Sequence, residues 1–457
     1  MNREQRTVLV ISAIGSFLTP FLLSSVNIAL PAIAHDLKMN AIVMSWIPSS
    51  FLLSAAIFLL PAGKLADIIG RKQIFLMGII IFTLATVVAG LSANALMLIL
   101  SRIGQGIGST MVAATGPAII TSVFPAGKRG RALGLNVSGV YIGLSAGPFI
   151  GGFLTEHLGW RSIFWAGVPI GLLVILLVLV YLKADWRSNQ QVAFDWVGSL
   201  FYAVSLVLIM IGFPKLGEGW GIVMVAVGML LGILFLFYEK LLQSPLLETN
   251  LLFRNRTFAF SNLAAFINYS ATSAIVFLLS LYLQYIKHFG PRESGLIILT
   301  QPVLMALLSP LTGKLSDHID PRIIASAGMA LCTIGLFILA ELQHDTSMQW
   351  LLFALVVLGI GFALFSSPNT NAIMGSVSRE YLGVASAMVG TMRLTGQMMS
   401  MGLAMLVLSF FIGKNPINPS NQEAFLHGSR VLFISFSALS LLGVFASLAR
   451  GRNTAIK

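Results

Sequence analysis

The decapeptide GKLADIIGRK, Gly63 to Lys72, returns as GKLSDHIDPR at Gly313 to Arg322. Each copy follows the second of a series of long apolar runs, and each places lysine, aspartate and arginine between two such runs. A chain that repeats a charged loop at matching places in two series of hydrophobic segments is built from two parallel halves, an arrangement common among membrane transporters. The copies lie too far apart for six spans, and a further pair, about Trp196 to Lys240, accounts for the excess. The expected layout is six plus two plus six.

Composition agrees with this reading. Of 457 residues, 57% are hydrophobic and only 10% charged, against about 25% charged in a soluble domain. About 20 apolar residues cross a hydrocarbon core as a helix, and backbone groups in lipid must be satisfied within the segment. The predicted spans are 8–30, 43–63, 73–92, 95–124, 131–155, 160–182, 196–214, 221–240, 257–286, 291–313, 322–341, 347–374, 381–412 and 428–449. Alternating β-barrel patterning is absent, so the expected fold class is all-α integral membrane. The expected domains are an N-terminal six-helix bundle over 1–190, an inserted two-helix segment over 191–250 and a C-terminal six-helix bundle over 251–457.

The net charge of +12 does not mark a nucleic-acid binder, because the basic residues sit in short loops and form no continuous patch. Their asymmetry sets topology instead. Arg3, Arg6, Lys64, Arg71, Lys72, Lys128, Arg129, Arg131, Lys314 and Arg322 fall on one side, which places both termini in the cytoplasm of a multi-pass cell-membrane protein. The start, MNREQRTVLV, reads as a short cytoplasmic tail before a retained first span. The single cysteine, Cys332, excludes an internal disulfide.

A second stretch bears on function. GLNVSGVYIGLSAGPFIGG, Gly134 to Gly152, carries six glycines in an apolar helix. Glycine costs about 1 kcal/mol relative to alanine in a soluble helix, but between membrane helices small residues let backbones approach closely. Gly143, Gly147 and Gly151 share one face, and Pro148 removes a backbone donor. This face is expected to contact a neighbouring helix across the interface between the halves.

These motifs carry a family resemblance. The loop at Gly63 to Lys72 resembles that of the major facilitator superfamily. Gly134, Gly143, Gly147, Pro148, Gly151 and Gly152 fit its antiporter motif, G-x8-G-x3-G-P-x-x-G-G, at every fixed position. LSRIGQGIGS at Leu100 to Ser109 is similar to the family's R-x-x-Q-G-x-G, while VNIALP at Val26 to Pro31 and GWRSIFWAGVPIG at Gly159 to Gly171 resemble the fourteen-helix drug:proton antiporter branch. The resemblance implies a secondary transporter that exports small amphipathic molecules by alternating access, with a small-molecule substrate, protons and the lipid bilayer as partners. It also implies a coupling role for Arg102.

Coupling and gating residues follow. Asp67, at a helix start where the dipole favours a carboxylate, is expected to pair with Arg131 in a latch with Arg71 and Lys72. Asp317 holds the same place in the second half. Arg102 and Arg393 are the charged residues placed inside spans, where ionisable groups are functional candidates. Polar residues within spans, among them Ser24, Asn27, Gln105, Asn136, Tyr141, Asn268, Tyr269, Gln301, Asn369, Asn371 and Gln397, are expected to line the substrate cavity together with Arg393.

One departure stands out. The branch carries an acidic residue in span 1, where this chain reads Leu22, Leu23, Ser24, Ser25, and none of its sixteen Asp and Glu falls at mid-membrane. Cationic substrates therefore lose favour and neutral or anionic ones gain. The departure opens a second reading, an uncoupled or anion-linked transporter of one metabolite. A receptor or assembly protein on the same scaffold is a third. No nucleophile triad, metal-ligand cluster or GxxxxGK[ST] loop occurs, so neither an enzyme, nor a cofactor, nor an ATP-driven pump is expected.

Overall fold

The computed structural model describes residues 3–182, 194–242, 245–247, 249–316, 318–377, 381–413, 415 and 417–451, with the side chains of 3, 126–131, 250, 251, 253, 382 and 383 outside that description. Its helices are α1 (Arg3–Asp36), α2 (Ala41–Ile69), α3 (Arg71–Gly90), α4 (Ala95–Val123), α5 (Ala126–Leu158), α6 (Arg161–Tyr181), α7 (Trp196–Gly212), α8 (Trp220–Glu239), α9 (Thr249–Arg254), α10 (Arg256–Thr272), α11 (Ile275–Leu281), α12 (Pro291–Ile298), α13 (Thr300–Leu315), α14 (Pro321–Ala340), α15 (Met348–Gly375), α16 (Leu382–Phe411) and α17 (Gln422–Ala449). Fourteen candidate spans are long and apolar enough to cross a membrane, and no strand occurs among the described residues. The fold is all-helical.

Local chemistry explains the helix ends and the polar content. Asn94 accepts from the Met97 amide, Asn255 from Phe258 and Ser347 from Trp350, each capping a helix start. Inside the spans, Thr83, Thr86, Thr115, Thr155 and Ser270 return their hydroxyls to the carbonyl four residues earlier, which lets them lie in a dry interior without an unmet donor. Two spans are broken. The ninth breaks at Ser273 and Ala274, between α10 and α11, where the Ala274 amide leaves the helix ladder for Ser400 Oγ at 3.0 Å. The tenth breaks at Leu299, between α12 and α13.

The chain forms two compact units. One comprises 1–39, 46–203 and 290–296; the other comprises 40–45, 204–289 and 297–457. In the first, α1 packs on α5, α3 on α4 and α3 on α6. In the second the corresponding spans repeat this pattern, α10 on α16, α14 on α15 and α14 on α17. The repeat reaches single atoms. A Cβ on Gly78 would stand 2.9 Å from Gly108 O, and one on Gly328 would stand 2.6 Å from Gly361 O, so the same pair of spans closes backbone to backbone in each unit.

Candidate functional site

The glycines of α5 form a seam. A Cβ on Gly139 would stand 2.6 Å from Ala13 O, one on Gly147 2.8 Å from Phe21 O, and one on Gly151 2.6 Å from Ser25 Cβ; Gly143 lies equally close to Phe17 O. Each step of four residues on α5 matches about four on α1, so two parallel helices touch through their backbones over three turns. Hydroxyls reinforce the contact. Ser25 Oγ donates to Gly147 O at 2.9 Å, Ser24 Oγ to Leu144 O at 3.4 Å and Pro20 O at 3.0 Å, and Ser16 Oγ to Asn136 Oδ1 at 2.9 Å.

This corrects the expectation that the stripe bridges the halves: it lies on α1 within its own unit. The residues next to the stripe, rotated about 100° around the helix, make the other contact. A Cβ on Gly152 would stand 2.5 Å from Pro291 O, and Gly295 of α12 meets the Pro148 carbonyl. Glu156 Oε2 accepts from the Arg292 amide at 3.1 Å at the start of that helix. Gly134 meets nothing within 4 Å. Gly139, which lies outside the motif, completes the seam, and its four-residue spacing from Gly143 was the signal for it in the sequence.

Arg102 is wholly buried on α4. Its Nε donates to Ile47 O at 3.3 Å, its Nη1 to Gln105 Oε1 at 2.6 Å, and its guanidinium carbon stands 4.6 Å from the Phe51 ring centre. Gln105 passes the polarity onward, Nε2 donating to Thr86 Oγ1 at 2.8 Å, and Thr86 donates to Phe82 O at 2.7 Å. The helical spacing of Arg102 and Gln105 puts them on one face, as the sequence suggested. Nη2 is sealed from solvent and has no hydrogen-bond partner. Arg102 takes part in none of the ion pairs among the described residues.

In the loop motif, Asp67 pairs with Arg71 at 3.3 Å. Arg71 reaches on to Ala118 O at 3.2 Å and Ser122 Oγ at 2.7 Å, tying the start of α3 to the last turns of α4. The expected partner Arg131 has a side chain outside the described set, and Asp317 lies outside the described residues. Lys72 is half-buried.

The other candidates fall in both units. In the first, Asn27 Oδ1 is buried without a partner, and Tyr141 is half-buried. In the second, Asn268 is fully buried with both amide atoms unpartnered, Tyr269 lies edge-on to Phe362 with ring centres 5.5 Å apart, and Asn369 Nδ2 donates to Ser261 O at 3.1 Å. Asn371 Nδ2 donates to Ser316 Oγ at 2.9 Å. Gln301 is buried, while Arg393 and Gln397 are half-buried.

Sequence reasoning missed three features. Asp36 accepts from Arg161 Nη1 at 2.7 Å and from Trp160 Nε1 at 3.0 Å, while Arg161 also donates to Ser92 O, a clasp joining the ends of α1, α3 and α6. Glu239, at the end of α8, is 1% exposed and accepts from the Leu247 amide at 3.1 Å. Arg450, just past α17, is buried among Ser447 and Ser261. Among the described residues no group of three His, Cys, Asp or Glu could hold a metal ion.

The sequence profile of the Major Facilitator Superfamily matches residues 12–238 and 261–455. The chain belongs to that superfamily. Among its relatives in the superfamily is the riboflavin transporter RibZ of Clostridioides difficile, 33% identical over 395 residues that cover 86% of this chain and 85% of the relative. The multidrug resistance protein Stp of Mycobacterium tuberculosis is 31% identical over 414 residues, covering 89% and 76%. A crystal structure of a bacterial homolog of the human lysosomal transporter Spinster, inward-facing and unoccupied, superposes with a TM-score of 0.70 at 17% identity over 98% of each chain, and establishes the facilitator fold.

Proposed function

We propose that this facilitator is a secondary active exporter of small amphipathic molecules, driven by proton antiport through alternating access, and set in the cell membrane with both termini cytoplasmic. The observation that carries the export reading is the unbroken glycine seam of α5. Four glycines held against α1 add no side chain of their own to the contact, so the helix that follows the loop after α4 lies backbone-close on the first helix of its unit. The multidrug resistance relative supports the same reading. Asp67 with Arg71 would gate one face, and Arg102 with Gln105 would sense the coupling ion.

A second reading is an uncoupled or anion-linked transporter of one metabolite. It is favoured by the distribution of carboxylates: the three between residues 5 and 182 are Asp36, Asp67 and Glu156, and each is engaged away from Arg102. The relative named as a riboflavin transporter supports this reading. Purified protein in proteoliposomes, given a pH gradient and dilute compounds of each charge class, separates the two. Substrate-dependent proton movement is expected for the first reading; substrate flux without proton movement replaces it with the second.

A further inference from the structure

A guanidinium offers five N–H donors and accepts nothing. In Arg102 the two acceptors it reaches, Ile47 O and Gln105 Oε1, are both neutral, and the chain of bonds beyond them runs one way, from Arg102 to Gln105, from Gln105 to Thr86, and from Thr86 to Phe82 O. Every acceptor in that relay is spent on a donor. Nη2 keeps its hydrogens inside a sealed interior. Among the described residues the positive charge is also left without a negative one, since hydrogen bonds to amides and the face of Phe51 spread the charge but do not cancel it.

Among the described residues of the unit no carboxylate pairs with Arg102, and Glu4 lies exposed in the first turn of α1. Asp36 is bound by Arg161 and Trp160, Asp67 by Arg71, Glu156 by the Arg292 amide, and Glu293 by the Gly290 amide, while Asp195 caps its own helix through Gly198. Buried charges in proteins are paired, and one that is unpaired marks a place where a partner of opposite sign is drawn in.

We infer that the free Nη2 edge of Arg102 binds a small anion or the anionic group of a transported molecule. The shared chemistry is a single negatively charged acceptor. Nε is committed to Ile47 O and one Nη1 hydrogen to Gln105, and the hydrogens that remain suit a halide or a carboxylate oxygen. Phe51 covers the flat face of the guanidinium, whereas an anion approaches its edge in the plane, so the ring and the anion do not compete. Gln105, locked by Thr86, holds Arg102 in that orientation. The inference concerns binding and stands whether or not protons are coupled.

The test uses the purified full chain in detergent, followed by thermal unfolding, with sodium chloride exchanged for sodium isethionate, which carries neither halide nor carboxylate, at constant ionic strength, and sodium salicylate as the carboxylate probe. The melting temperature of the native protein is expected to rise with the probe along a saturable curve. Arg102→Gln should flatten the curve, and Arg102→Lys, which keeps the charge and covers the case in which the glutamine variant fails to fold, should move its midpoint to at least tenfold higher concentration. A response to chloride identifies a free halide as occupant, and a response to salicylate alone identifies an anionic substrate group. A flat curve for the native protein with both probes overturns the inference, as does an Arg102→Gln or Arg102→Lys curve that superposes on the native one. Proton-coupled transport with no anion response would leave the proposed function standing and remove this site.

Discussion

Arg102 and Arg450 are both buried arginines without an ion pair among the described residues, yet they are held in opposite ways. Arg450 lies past the last turn of α17 and spends all three nitrogens: Nε on Ser447 O at 2.8 Å, Nη1 on Ser261 Oγ at 3.3 Å, and Nη2 on Ser447 Oγ in close contact. Ser326 Oγ joins Ser447 Oγ at 2.8 Å, so the arginine ties α10, α14 and α17 together. Burial pulls its pKa down to about 10, with Asp320 acting against that shift, and it stays charged at neutral pH. Arg102 lies within a span and leaves one nitrogen unmet. The difference separates a strut, whose bonds are all made at rest, from a group whose bonding is completed by something else.

Exchanging each arginine for methionine is the sharpest way to break this comparison. In Arg102→Met, transport should fall more than about tenfold, the equivalent of ~1.4 kcal/mol in a barrier. The melting temperature should hold or rise, because a buried charge has been replaced by an apolar chain of similar length. Initial rates in proteoliposomes beside a melting curve check both halves. Arg450→Met should do the reverse. It strands the oxygens of Ser447 and Ser261 at a cost of about 1–3 kcal/mol, seen as a lower melting temperature, while the rate per folded molecule stays within about twofold of native. If the two variants behave alike, the distinction fails.

Smaller substitutions refine it. Ser326→Ala removes one link of the Arg450 strut and should cost ~1 kcal/mol in stability, read by thermal or denaturant unfolding, with transport unchanged. Asp67→Asn breaks the partly exposed pair with Arg71 and should cost no more than ~1 kcal/mol. Solvent reaches that pair, so the effect should shrink in high salt. A larger, salt-independent loss of stability would mean that this pair, too, behaves as a buried strut.

The fold was legible because its signals are long. A repeated loop sequence and fourteen apolar runs survive any uncertainty at helix ends, and the matching Gly78 with Gly108 and Gly328 with Gly361 contacts follow from the same repeat. Arg102 and Gln105 were legible because depth in a span and one-turn spacing are properties of the sequence itself. Arg450 was not, since it reads as one more basic residue after a span, and its burial depends on Ser261, far away in the chain. The pair of Asp67 with Arg71 was only partly legible: Arg71 lies one turn away in sequence, but its further bonds depend on α4 bringing up Ala118 and Ser122. Helix periodicity gave the face of Gly143, Gly147 and Gly151, and only packing could say that α1 covers it.

The α1 and α5 seam also bears on how freely these helices separate and rejoin. A contact between ordinary side chains must choose rotamers on each closing and give up their freedom, up to about 2 kcal/mol for the longest chains. Gly139, Gly143, Gly147 and Gly151 have no rotamers to choose. On the α5 side such a joint asks for no choice of rotamer when it forms, and only the short hydroxyls of Ser16, Ser24 and Ser25 on the α1 side must find their acceptors. Its closing therefore orders very little.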